Sequence, residues 1–378
     1  MIKTLTIDKA VYEGNFYSFT DNTNYFIPYV LEGEVVDSEI VLSKKNCCFA
    51  KPLNIISKSE KRIEPECPIY SLCGGCSYLH TDYENELEIK KGIIQDCLKR
   101  IGKIFNYPEI RTISSQRYHY RDHCTIKFDG DSYGFHGKKT NSVIPFPEKG
   151  CLLLDENINN YINNLPKKQK SNNHSTDIKI AIGSEKQAIS SQKNSGSVIS
   201  IQINNYVYQR NLKCFFQSNQ FLRNKMIEKV LDLSGRGLKE NILDIACGIG
   251  FFTIPLSYQC NTILGIDNNK NSINYAGINS KINKSLNAKF LLSDFSKIDK
   301  HEFNTVVVDP PRTGLTVEGI SNIINIGAEK IIYVSCNPAT YSRDAAKLLM
   351  SGYNLSELFF IDNFPCTHHI EIISLFRL

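Results

Sequence analysis

From about residue 216 onward the chain alternates apolar, strand-length runs with helical stretches, a pattern few architectures satisfy. The runs fall at 241–246, 262–266, 288–292, 304–308 and 330–334, with weaker ones at 355–361 and 370–376. Such alternation predicts a doubly wound, mostly parallel α/β sheet. Ligands of these sheets sit beyond the carboxyl ends of the strands, so chemistry is to be sought where each apolar run stops.

One run stops at a cysteine. Ile331-Ile332-Tyr333-Val334-Ser335-Cys336 reads as a buried strand, and Asn337-Pro338-Ala339-Thr340 as a helix start, with Asn337 as cap and Pro338 at the first turn. A thiol so placed lies near the positive end of a helix, which favours the thiolate.

The first strand leads into Asp244-Ile245-Ala246-Cys247-Gly248-Ile249-Gly250, where two close glycines let the backbone approach a bound nucleotide. The second ends in Gly265-Ile266-Asp267, whose acid is spaced to accept hydrogen bonds from ribose hydroxyls. The third ends at Ser293-Asp294-Phe295, with a carboxylate in reach of an adenine amino group. No third glycine stands in dinucleotide register and no Gly-Lys-Ser/Thr follows, which favours S-adenosylmethionine over NAD or ATP.

The fourth strand ends in Asp309-Pro310-Pro311-Arg312, a stiff turn that holds a carboxylate over the pocket. Arg312 stands where methylases of exocyclic nitrogens carry a stacking aromatic residue, and Cys336 follows on the next strand, so the pattern points to carbon chemistry. Uracil C5 takes a methyl group only after a thiolate has added at C6. A base must then remove the C5 proton, and Glu371, among apolar neighbours that raise a carboxyl pKa, is the candidate.

The first 215 residues differ in character. Short alternating runs over 2–55 suit a small β barrel of the oligonucleotide-binding type. Residues 81–101 read as an amphipathic helix, and 99–127 are basic and interleaved with Tyr118, His119, Tyr120 and His123, as phosphate contact and base stacking or a solvated strand face would require. The Asn-, Ser- and Lys-rich stretch 156–197, with Pro166-Lys167-Lys168-Gln169-Lys170, reads as a loop-rich excursion. Thirteen cysteines and no signal-peptide core predict a cytoplasmic chain whose clustered thiols bind metal or react. No apolar run is long enough for a membrane span. The formal charge of +5 permits nucleic acid as a partner without requiring it.

Asp309-Pro310-Pro311-Arg312-Thr313-Gly314 followed by Ile331–Thr340 resembles the first signature of the RNA uracil-5-methyltransferase family. Asp362-Asn363-Phe364-Pro365-Cys366-Thr367-His368-His369-Ile370-Glu371 is similar to the second, departing at Cys366, where Gln, His or Tyr is usual. The resemblance implies Cys336 as nucleophile and Glu371 as proton-abstracting base. It implies S-adenosylmethionine contacts at Gln217, Ala246, Phe251, Asp267 (where Glu is more common), Asp294 and Asp309.

The resemblance extends over nearly the whole chain. It implies a TRAM-type RNA-binding barrel over 1–57, a central α+β domain with an iron–sulfur site over 58–215, and a class I methyltransferase domain over 216–378. Cys67, Cys73, Cys76 and Cys151 would ligate a [4Fe-4S] cluster, for which four thiolates and flanking glycines are suited; a Cys₄ zinc site has the same ligand count. The implied reaction is methylation of a uridine C5 in RNA, 23S rRNA ahead of tRNA because resembling bacterial tRNA enzymes commonly lack both accessory modules. No obligate protein partner follows. The rival readings are an RNA cytosine-5-methyltransferase, which would carry Pro-Cys where this chain has Pro310-Pro311, and a noncatalytic RNA-binding iron–sulfur protein.

Overall fold

The computed structural model describes residues 1–166, 176–192, 196–235, 237–294 and 303–378. Lys167–Lys170 of the basic run, and Phe295 at the third strand's end, lie outside the described residues.

The N-terminal unit is a six-stranded sheet of β1 (Ile2–Thr6), β2 (Lys9–Val11), β3 (Asn15–Thr20), β4 (Thr23–Pro28), β5 (Val35–Lys44) and β6 (Cys47–Ser57), in the order β1-β5-β6-β4-β3-β2. The short alternating runs read from the sequence become strands; β2, three residues long, is the addition. Asp21 and Asn22 both adopt positive φ between β3 and β4, the geometry a tight two-residue hairpin demands. Leu5, Phe16, Tyr25, Ile27 and Val36 alternate inward to form its core.

Helix α1 (Tyr83–Arg100) follows, capped by the Asp82 side chain, which accepts from Asn85 N. After it comes β7 (Ile110–Ile113). A second sheet contains β8 (His123–Phe128), β9 (Tyr133–His136), β10 (Val143–Pro145), β11 (Thr176–Ile182) and β12 (Ala188–Ser190), with α2 (Glu156–Asn163) against it. A hairpin of β13 (Ile199–Ile203) and β14 (Tyr206–Arg210) precedes the last unit. The stretch read as loop-rich therefore contains α2, β11 and β12. Polar composition concealed two amphipathic patterns: α2 buries Ile158 and Ile162, and β11 buries Ile178 and Ile180.

The C-terminal unit comprises α3 (Arg223–Ser234), β15 (Gly237–Ile245), α4 (Thr253–Ser257), β16 (Cys260–Asp267), α5 (Lys270–Ile282), β17 (Ala288–Leu292), β18 (Thr305–Val308), α6 (Val317–Ile326), β19 (Lys330–Ser335), α7 (Pro338–Met350), β20 (Asn354–Ile361) and β21 (Glu371–Arg377). Its eight-stranded sheet runs β17-β16-β15-β18-β19-β21-β20-β7. Neighbours from β17 to β19 are parallel, and β21 is antiparallel to both β19 and β20. The last position is filled from outside the unit: β7 pairs parallel with β20, so residues preceding 216 complete the sheet. Val306, Val307, Val308, Ile331 and Ile332 are buried on both faces, as covered parallel strands require.

Candidate active site

Cys336 lies one residue past β19, and Glu371 opens β21. The antiparallel register ends at the Ser335–Ile372 pair, so Cys336 and Glu371 are the next residues along the two chains, and the Glu371 carboxyl is near enough to act on the thiol. Asp309 leaves β18 next door, its N–H donating to Ile245 O at 3.2 Å. Arg312 joins through its carbonyl, which accepts from Asn337 Nδ2 at 2.9 Å and Thr340 Oγ1 at 3.2 Å, and its guanidinium stands 3.4 Å from the His369 ring nitrogens.

The acid–base state of the cysteine differs from expectation. Burial, then the Glu371 and Asp309 carboxyls, push the Cys336 thiol up to about 12, with Arg312 opposing them. The helix end does not rescue the thiolate, because the Asn337 side chain already accepts from Ala339 N and Thr340 N. Glu371 follows the sequence reading: it is 3% exposed, and burial followed by the Asp309 charge raises its carboxyl well above the ordinary range. Burial raises Asp309 to about 7.

The residues expected to bind the nucleotide gather at the ends of β15, β16 and β17. Ala246 adopts φ +60°, Gly248 +57° and Gly250 +87°, a left-handed run that peels the chain off β15. A side chain added at Gly248 would meet nothing within 4 Å, so open space faces the backbone there. Asp267 borders it, accepting from Gly248 N at 2.9 Å and Asn269 N at 2.7 Å. Asp294 follows β17, where Ser293 N donates to Asp267 O at 3.1 Å. Phe251 is buried beside Phe216, ring centroids 5.5 Å apart at 86°, and its carbonyl accepts from Tyr208 Oη at 2.9 Å. Gln217 is buried and accepts from Asn363 Nδ2 at 3.1 Å, which links this half to the loop leading to Glu371. The adenosyl group of S-adenosylmethionine, with its free ribose edge, fits this open glycine cradle and its flanking carboxylates.

Cys67, Cys73, Cys76 and Cys151 line one cavity of about 770 Å³, which extends to Arg312, Asn337 and His368 beside Cys336. Burial raises the Cys73 and Cys76 thiols, and Cys151 to about 11, and the neighbouring thiols add to the effect. Among the described residues no group of three or more His, Cys, Asp or Glu side chains is placed to hold a metal ion. The donor chemistry still suits a thiolate-bound group: His136 Nε2 and Lys138 Nζ, from residues lining the same cavity, are buried without hydrogen-bond partners.

Three features escaped the sequence reading. Asp244 is fully buried, held by Thr253 Oγ1, with Oδ1 unpartnered. It lies inside the first glycine motif and was legible as a motif residue. Tyr12, between β2 and β3, donates to Cys336 O at 3.5 Å. Lys90 reaches the loop before Glu371 from α1. The last two depend on contacts between distant segments and have no local signal.

The chain matches the tRNA (uracil-5-)-methyltransferase family over residues 151–296 and 289–377. It is 33% identical to an uncharacterized RNA methyltransferase of Aquifex aeolicus over 98% of this chain and 97% of that one. It is 26% identical to the 23S rRNA (uracil(1939)-C(5))-methyltransferase RlmD of Legionella pneumophila (strain Corby) over 99% and 97%. The crystal structure of Pyrococcus abyssi tRNA (uracil-54, C5)-methyltransferase superposes with a TM-score of 0.77 at 22% identity, covering 99% of this chain and 100% of that one. With the methyltransferase fold and the family match together, the chain belongs to the tRNA (uracil-5-)-methyltransferase family, whose members are S-adenosylmethionine-dependent RNA uracil-5-methyltransferases.

Proposed function

We propose that the chain methylates C5 of a uridine in 23S rRNA through a covalent adduct on Cys336. The observation that carries this is the placement of Cys336 and Glu371 one step beyond the Ser335–Ile372 pair, with the Glu371 charge acting on the Cys336 thiol. Bound S-adenosylmethionine supplies an electrophilic methyl group. The target base leaves its stack to reach the thiol. The Cys336 thiol gives its proton to solvent, Sγ adds to C6, and the π pair of the C5–C6 bond is taken up as the C4–O4 enolate. C5 then takes the methyl group, and S-adenosylhomocysteine is the leaving group. Glu371 removes the C5 proton, the C6–S bond breaks, and the thiolate is returned. Asp309, beside both, holds the turn that shapes the pocket.

The cofactor contacts are assigned to Gln217, Ala246, Phe251, Asp267, Asp294 and Asp309. Residues 1–57 are read as the TRAM-type RNA-binding unit, 58–215 as the central unit and 216–378 as the methyltransferase unit. Cys67, Cys73, Cys76 and Cys151 would hold a [4Fe-4S] cluster in the cavity beside the active site, a group that such thiolates bind and tune. The preference for 23S rRNA rests on the RlmD relatives, which match over nearly the full length of both chains.

The test is methyl transfer from tritiated S-adenosylmethionine to total RNA lacking uracil-5 methylation. Label is expected in 5-methyluridine of 23S rRNA; label in tRNA instead would move the substrate assignment, and label in cytidine alone would defeat the uracil assignment. Glu371→Gln is expected to trap a denaturation-resistant RNA adduct that Cys336→Ala does not form. Absence of that adduct would remove Glu371 from the base role.

A further inference from the structure

We propose that Lys90 is a positioning residue for the base step: from helix α1 it fixes the 362–370 loop that delivers Glu371. The inference rests on Glu371 as the proton acceptor. Lys90 Nζ donates to Asp362 Oδ1 at 2.7 Å, to Phe364 O at 3.1 Å and to Glu86 Oε1 at 2.8 Å. Glu86 in turn accepts from Cys366 N and pairs with Arg117 at 3.3 Å. Lys90, Glu86 and Asp362 are wholly buried. The loop is thereby held at 362, 364 and 366 from a single helix. Asn363, between the first two anchors, donates to Gln217. Ile361, just before them, is the ladder partner of Glu371.

Stability alone does not account for this arrangement. Buried ion pairs lose solvation that well-packed apolar groups of the same volume never have to give up, so apolar replacement is often neutral or stabilising. What the charges add is direction: an ammonium with three donors accepts only one arrangement of two carboxylates and a carbonyl. The loop needs that restraint. Cys366 adopts φ +66°, a left-handed conformation costly for a residue with a side chain, and its carbonyl is pinned by Ser77 N at 2.7 Å and Tyr78 N at 3.1 Å. A base displaced by about 1 Å loses roughly 10²-fold in rate.

The experiment uses the full-length protein with the charge-neutral variant Lys90→Met/Glu86→Gln/Asp362→Asn, and Lys90→Arg as the conservative variant. Single-turnover reactions follow formation and release of the RNA adduct separately. The charge-neutral variant is expected to unfold cooperatively, with RNA KM and S-adenosylmethionine affinity within about 2-fold of the parent. Release of methylated RNA should slow by roughly 10- to 100-fold, so that methylated adduct accumulates. Lys90→Arg should recover part of the release rate. Release at the parent rate overturns the proposal. So does an equal fall in adduct formation and release, or failure of the charge-neutral variant to fold, since either makes the network a support of the whole unit. Glu371→Gln is run beside them: if it traps no adduct, the base assignment itself is at fault and the proposal falls with it.

Discussion

Burial and two neighbouring carboxyls hold the Cys336 thiol near 12, so at neutral pH roughly one molecule in 10⁵ carries the thiolate. Glu371, raised well above its ordinary value, is also biased toward its protonated form. In the proposed mechanism both groups must lose a proton, and both requirements are met better as pH rises. The rate kcat/KM is therefore expected to climb between about pH 6 and pH 9 without a falling alkaline limb. A bell-shaped profile with its maximum inside that range would contradict the assignment. The direction of the Glu371 shift was legible, because Ile370, Ile372 and Ile373 announce an apolar setting. The direction for Cys336 was not. The helix start argued for a thiolate, but its free N–H groups are taken by Asn337, and Asp309 approaches from a different strand.

Helices and strands of the C-terminal sheet were readable because their apolar runs are long and their ends carry turn residues. β7 was not, since Ile110–Ile113 has a place in that sheet only through its pairing with β20. The attachment of the central unit to α3 is similarly non-local, and an ion pair joins the apolar packing there. Arg223, first in α3, pairs with buried Asp122 and donates from Nε to Gln217 O at 2.7 Å. Burial pushes the Asp122 carboxyl up, but the Arg223 charge and the His123 hydrogen bond and charge together outweigh it and hold the group at about 2. A depressed carboxyl contributes stability above its unfolded pKa and loses it as pH falls through the folded one. Asp122→Asn is thus expected to cost about 2 kcal/mol at neutral pH. Urea unfolding should show that difference shrinking as pH drops from about 4 toward 2. A difference independent of pH would mean that the pair does not carry the attachment.

Across the whole molecule, the four thiols from 67, 73, 76 and 151 come to one cavity although 75 residues separate the last two. The family resemblance singled them out; their convergence near Cys336 was not readable, since Arg312 and His368 reach the same cavity from the other end of the chain. Anaerobically purified protein is expected to be brown, with a thiolate-to-iron band near about 400 nm and about four irons per chain. Colourless protein containing zinc would replace the cluster by a Cys₄ zinc site. Cys67→Ser should lower the iron content of the purified chain.

The turn between β2 and β3 sits where these parts meet. Gly14 adopts φ +69°, and a side chain there would stand 2.8 Å from Ser77 Oγ and 3.1 Å from His368 Cβ; two residues earlier, Tyr12 touches the carbonyl of Cys336. The N-terminal sheet is thus a keystone of the Cys336 turn. That sheet cannot move away from the turn without giving up the Tyr12 contact. The packing of the first sheet and the setting of Cys336 are properties of one joint.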